Sequence, residues 1–265
     1  MQYEGVLNKM HTEFLNPIQY YLVFEQGFIH MNQIINKQIE IQHIGYTCLN
    51  CKNEKKIFRQ GFCYDCFMSS AAVGDWIMRP ELSKAHLGIE DRDLAFEQKV
   101  QLQPHVVYLA VASDLKIGVT RKTQIPTRWI DQGASFAVPV VEVPNRYLAG
   151  ITEVSLKNHY TDKTNWRKML QNEILNVDLN DAIFNAAQLL PKDILPYYEQ
   201  TNHEIFSINY PVEKFPLKNS SLNLDKTPFY SGKLVGIKGQ YLIFEDGTVL
   251  NIRTYEGFKV LFNII

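Results

Sequence analysis

Between Val106 and Leu170 the sequence sets out, in order, Val107-Tyr108-Leu109, Lys116-Ile117-Gly118, Arg128, Glu153 and Asn165. Each is a residue type that can act on a phosphodiester. A tyrosine relays a proton. A lysine and an arginine hold phosphate charge, the arginine in a planar fork that lysine does not copy. A carboxylate binds a hard divalent cation. Order and spacing together point to a small nuclease core. Taken singly, each residue has a plain structural alternative. Tyr108 on an apolar strand packs as a core aromatic, and Gly118 marks a bulge. Arg128 pairs with Asp131, and Glu153 pairs with Lys157 one helical turn on.

The four cysteines carry the second chemical signal. Cys48, Cys51, Cys63 and Cys66 form two Cys-x-x-Cys pairs eleven residues apart, and no cysteine is left over. Two such knuckles place four thiolates tetrahedrally around Zn²⁺. A site filled by four sulfurs is closed and structural. Two disulfides or a redox dithiol are the alternatives. Lys52, Lys55, Lys56 and Arg59 surround the pairs; they help hold the thiolates ionised or touch phosphate.

The elements that position these groups read from local pattern. His105 to Ala112 is β-branched and apolar over strand length. Ser113-Asp114 is a turn, and Leu115 to Thr120 is the return strand. Thr123 to Gly133 reads as a helix, Phe136 to Val143 as a third strand, and Tyr147 to His159 as a second helix carrying Glu153. The sum is a three-stranded sheet with helices packed on it.

This segment resembles the GIY-YIG nuclease superfamily. Val107-Tyr108-Leu109 stands at the first motif of that family. Lys116-Ile117-Gly118 stands at the second, with lysine in place of tyrosine. Arg128 follows Gly118 by ten residues, Glu153 lies on the later helix, and Asn165 comes after it. The resemblance implies that Glu153 holds one catalytic Mg²⁺ and that Tyr108 relays a proton as a phenolate favoured by Lys116. Arg128 would contact the non-bridging oxygens. The whole chain also resembles an uncharacterised bacterial domain-of-unknown-function family that joins such a core to paired CxxC motifs.

The formal net charge of -1 gives no chain-wide sign of a nucleic-acid partner. Residues 101–170, however, hold nine Lys/Arg against five Asp/Glu, whereas residues 171–265 hold eight against eleven. The surplus makes Arg121, Lys122, Lys157 and Lys163, with Arg167 and Lys168, the expected nucleic-acid contacts; a solvated helix face is the alternative for the last two. Gly118 joins them because, without a side chain, it lets a ligand backbone approach closely.

The two ends of the chain look alike. Tyr3-x-Gly5-x-Leu7 and Tyr21 to Ile29 answer to Tyr230-x-Gly232-x-Leu234 and Tyr241 to Val249. Two related β-meanders are expected to pack as a small β-barrel or sheet, with Tyr20, Tyr21, Phe28, Tyr241 and Phe258 as candidate stacking faces. The expected organisation is an N-terminal meander over 1–45, a zinc-ribbon-like module over 46–70 and a helical connector over 71–103. The nuclease-like core follows over 104–190, then a return linker over 191–214 and a C-terminal meander over 215–265.

No basic region followed by an apolar run opens the sequence, and no stretch approaches the ~20 apolar residues that span a bilayer. With metal-spaced cysteines, this places the expected protein in a reducing cytoplasm with no membrane partner. The expectation is thus a zinc-stabilised α+β protein acting on DNA or RNA, first as a Mg²⁺-dependent endonuclease. The alternatives are a non-catalytic nucleic-acid-binding protein on the same fold, or an interaction module whose zinc unit docks a protein partner.

Overall fold

The chain runs through strands β1 (Gln2–Val6), β2 (His11–Glu13), β3 (Gln19–Phe24), β4 (Gly27–His30) and β5 (Gln38–Tyr46), then helices α1 (Tyr64–Ser69) and α2 (Leu94–Gln101). Next come β6 (His105–Val111), β7 (Leu115–Arg121), α3 (Thr127–Asp131), β8 (Phe136–Val143), α4 (Arg146–Leu156), α5 (Trp166–Leu170), α6 (Leu179–Ala187) and α7 (Leu195–Gln200). It closes with β9 (Phe206–Ser207), β10 (Ser220–Ser221), β11 (Phe229–Lys238), β12 (Tyr241–Phe244), β13 (Thr248–Asn251) and β14 (Phe258–Ile264). The computed structural model describes residues 1–161 and 164–265, so the expected phosphate contact Lys163 lies outside the described residues. The architecture is α+β, with three sheets in two compact units. One unit comprises Met1–Met68, Leu170–Asn172 and Ile208–Ile265; the other comprises Ser69–Met169 and Glu173–Ser207.

In the first unit the two chain ends interlock. Its larger sheet runs β1-β14-β5-β11-β12-β13-β10. The central pair, β5 and β14, is antiparallel, with Ile41 opposite Phe262. Each then takes the opening strand of the other half. Tyr3 opposes Phe262 and Gly5 opposes Val260, while Tyr230 opposes Ile41 and Gly232 opposes Ile39. The hydrogen bonds repeat as well. Leu7 N donates to Phe258 O at 2.8 Å, and Leu7 O accepts from Gly257 N at 2.9 Å. Leu234 N donates to Lys37 O at 3.0 Å, and Leu234 O accepts from Asn36 N at 2.7 Å. Asn36 and Gly257 both sit at positive φ, 70° and 86°. The likeness of the two ends thus extends to their pairing: the first strand of each half pairs with the last strand of the other, β1 with β14 and β11 with β5.

The ladder differs from a closed barrel. Among the described residues β1 and β10 are its edges, and β2-β3-β4 forms a separate three-stranded sheet. Spacing explains the difference. Leu234 lies ten residues before Phe244, but Leu7 lies seventeen before its counterpart Phe24. The second half thus runs without a break through β11 into β12, whereas the first half parts into β1 and β2. Tyr20 and Phe258, read as candidate stacking faces, are buried in the core.

The second unit is built on β6, whose seven residues are all buried, in the order β7-β6-β8-β9. Val107, Leu109 and Val111 join Ala149 and Leu156 of α4 and Ala182, Ile183 and Ala186 of α6 in one apolar cluster. Such a central strand reads as a continuous apolar run because both its faces are covered. β9 adds a short fourth strand to the three expected. The helix expected over 123–133 is shorter. Lys122–Gln124 is a 3-10 turn, and α3 begins only after Pro126, which lacks the N–H to continue a helix through it. α4 is capped by Asn145, whose Oδ1 accepts from Leu148 N at 2.9 Å. The stretch 191–214, expected as a return linker, contains α7 and β9. No helix among the described residues is long and apolar enough to cross a membrane.

The Gly257 turn holds one of the two strand exchanges. Its φ of 86° strains any side chain, and a Cβ there would lie 2.6 Å from Ile57 Cδ1. Gly257→Ala should lower unfolding stability by about 1–3 kcal/mol, read as a shifted urea midpoint. A midpoint equal to wild type would show that this turn does not constrain the exchange.

Candidate functional site

The four cysteines converge at the end of β5. Their sulfurs all lie within 4.8 Å of one another, and Cys51 and Cys63 Sγ are 4.0 Å apart. That is far beyond a disulfide bond and close to the ~3.8 Å edge of a tetrahedron with ~2.3 Å metal–sulfur bonds. Three of the four residues are buried. The Cys63 backbone N–H donates to Cys48 Sγ at 3.3 Å, a bond that favours the thiolate. The cluster is anchored to the sheet, since Thr47 N donates to Gly257 O at 2.8 Å. These four residues are positioned to hold a metal ion such as zinc, and the soft, closed donor set suits that ion.

The second constellation surrounds β6 and β7. Tyr108 is fully buried beside Trp129 of α3, and its hydroxyl donates to Gln132 Oε1 at 2.9 Å. Gly118 faces it across the ladder; a Cβ there would come 2.6 Å from the Tyr108 oxygen, so only glycine leaves room for the ring. Burial pushes the Tyr108 phenol up, and the neighbouring Arg128 charge opposes this. Lys116 is 4% exposed, and its Nζ donates to Thr164 Oγ1 at 2.8 Å. Burial pushes its ammonium down to about 7, and repulsion from Arg128 adds to the shift. Glu153 is 8% exposed, and Lys157 lies 3.6 Å from its carboxylate. Burial pushes the Glu153 carboxyl up; Lys157 opposes this, and Glu81 adds to it.

Glu81 and Arg146 carried no role in the sequence reading. The turn Pro80–Leu82 packs on α4 where Gly150, lacking a side chain, admits the Pro80–Glu81 backbone. This brings Glu81 near Glu153, with Glu81 Oε2 buried and without a hydrogen-bond partner among the described residues. Arg146 opens α4 and donates to the Trp76 and Ile77 carbonyls at 3.0 and 2.7 Å. Burial lowers its guanidinium to about 10; Glu153 opposes that shift, while Arg121 and Arg128 add to it. No spacing rule links residues 76–81 to residue 153, so sequence offered no signal for this contact.

The remaining candidates are placed as follows. Arg121, at the end of β7, is half-buried and feels the same desolvation. Lys122 pairs with Glu142 at 2.9 Å. Asn165 caps α5, its Oδ1 accepting from Arg167 N and Lys168 N at 3.1 and 3.3 Å. Arg167 stacks on Trp166, 4.3 Å from the ring centre.

A family profile matches residues 36–260, spanning both the cysteine cluster and the β6–β7 constellation. The chain belongs to the family described as Protein of unknown function (DUF2797). No curated protein and no solved structure matches the chain.

The DUF2797 chain should bind one zinc ion through Cys48, Cys51, Cys63 and Cys66. Cys63→Ser, or exhaustive chelation, should release the metal and expose the amides of residues 46–69 to hydrogen exchange. Unchanged exchange after metal loss would show a module that folds without an ion.

Proposed function

We propose that this protein is a Mg²⁺-dependent nuclease with a GIY-YIG-like core that hydrolyses phosphodiester bonds in nucleic acid. The observation that carries the reading is the gathering of Tyr108, Lys116, Arg128 and Glu153 around β6, β7, α3 and α4, each within electrostatic reach of another. Gly118 beside Tyr108 adds to it, because that glycine is required by the tyrosine.

Glu153, with Glu81 beside it, would hold the divalent cation; two hard carboxylates, one with a buried oxygen that has no hydrogen-bond partner among the described residues, suit such an ion. When bound, Mg²⁺ supplies charge stabilisation at the phosphate. The proton falls to Lys116. A phenolate at Tyr108 is disfavoured by burial, whereas a lysine near pH 7 is a neutral amine for much of the time and accepts a proton from water. Arg128 holds the non-bridging oxygens. Tyr108 then orients rather than deprotonates, with its hydroxyl on Gln132.

One observation favours a second reading. The Lys157–Glu153 pair and the raised Glu153 carboxyl both compete with a cation for that carboxylate. If they prevail, Arg121, Arg128 and the other cations of residues 101–170 bind DNA or RNA without cleaving it, and binding needs neither Mg²⁺ nor Glu153.

Labelled DNA and RNA incubated with Mg²⁺ test the choice. Wild type should cleave, and Glu153→Gln should lose cleavage by at least about a hundredfold while still retaining substrate. Retention by both proteins without cleavage favours the binding reading; Mg²⁺-dependent cleavage by the variant overturns the assignment of Glu153.

The pH dependence follows from Lys116. Below about 7 its amine is protonated and accepts nothing; above that it is free. Cleavage should therefore rise about tenfold per pH unit up to about 7 and then level. Lys116→Arg should abolish the rising limb and slow the reaction by ~10²–10⁴-fold. An unchanged profile in that variant would assign the base elsewhere.

A further inference from the structure

The cysteine module presents an aromatic and cationic surface that metal binding alone does not explain. Phe58 and Tyr64 are 46% and 59% exposed. Phe58 meets Tyr64 and Phe67 edge to face, with ring centres 5.2 Å apart in each case. The Arg59 guanidinium lies 5.4 Å over the Phe58 ring. Isolated exposed apolar residues are ordinary; here two exposed rings pack together, with a cation over one of them. The metal ligands fix these rings. Tyr64 and Phe67 directly follow Cys63 and Cys66 in sequence. Phe58 N donates to Phe62 O at 2.7 Å and Phe62 N to Arg59 O at 2.9 Å, so Phe58 is held on a tight turn just before the second cysteine pair.

The surrounding charge selects the occupant. Within residues 52–65, Lys52, Lys55, Lys56 and Arg59 are all exposed against Glu54 and Asp65, and Asp65 is spent on Lys55 at 2.8 Å; Glu256 of the neighbouring turn lies beside Gly61. A cationic surface with exposed rings matches a chain that carries phosphates along its backbone and π-faces on its bases. Those faces are open in a single strand and hidden in a duplex. We propose that Phe58 and Tyr64 form a base-stacking platform, with Lys56 and Arg59 as phosphate contacts, that holds a single-stranded segment of nucleic acid. The platform rests on the reading of this protein as nucleic-acid-directed, but not on cleavage.

The test uses the full chain loaded with zinc and no added Mg²⁺. Fluorescence anisotropy measures binding of labelled oligo(dT) and oligo(U), about a dozen nucleotides long, and of an abasic strand of the same length. Wild type should prefer the base-bearing strands by about five- to a hundredfold. Phe58→Ala with Tyr64→Ala should remove that preference, leave the abasic affinity unchanged and retain one zinc per chain. Phe58→Trp should keep the preference. If the double variant loses zinc, Tyr64→Ser alone at the more exposed ring carries the comparison. Equal binding of base-bearing and abasic strands by wild type, or a preference surviving in a zinc-loaded variant, overturns the platform. Binding of no strand at all also overturns it and turns the surface toward a protein partner. Glu153→Gln should leave the preference intact, so failure of the nuclease reading and failure of the platform are separately visible.

Discussion

The antiparallel ladder between β5 and β14 is the constraint on which the rest of the first unit depends. It joins residues from opposite ends of a 265-residue chain, so neither end completes its sheet alone. An isolated meander is marginal in water. The exchange of β1 and β11 across the ladder gives each half an extra paired strand and buries Ile39, Ile41, Val260 and Phe262. The entropy of closing so long a loop grows only slowly with its length, which makes such an arrangement affordable. The cysteine module follows β5 directly and leans on the Glu256–Gly257 turn that leads into β14, so the metal-binding loops inherit their position from the same ladder.

The second unit meets a different demand, that of keeping ionisable groups buried together. Lys116, Arg146 and Glu153 are each less than a tenth exposed. Isolated charges at that depth are costly unless paired or shifted toward neutrality. The protein uses both means. Arg146 is satisfied by the carbonyls of Trp76 and Ile77, Glu153 is paired with Lys157, and Lys116 is displaced toward the neutral amine. Of the three, Lys116, lowered to about 7, is the one that exchanges its proton readily near neutral pH. The segment of residues 76–81 belongs to this design: it supplies carbonyls to one charge and a carboxylate beside another.

The two clusters differ in kind. The four cysteines are positioned to hold a metal ion such as zinc, and a set of four sulfurs leaves no ligand position for substrate. The Glu153 carboxylate instead lies among charged side chains, with Lys157 3.6 Å away.

What the sequence determined by itself lies where chemistry and spacing are local. The paired Cys-x-x-Cys motifs gave the cluster because two short loops bring four sulfurs together whatever surrounds them. The β6–β7 hairpin was legible from its apolar run and polar turn, and the kinship of the two ends from Tyr-x-Gly-x-Leu. The tertiary structure decided what depends on distant partners. It paired the first strand of each half with the last strand of the other. It brought Glu81 and Arg146 to Glu153 through a packing contact that no local pattern encodes. It made Lys116, rather than Tyr108, the group that titrates near neutrality. Burial sets that last outcome, because desolvation depends on everything packed around a side chain and not on its neighbours along the chain.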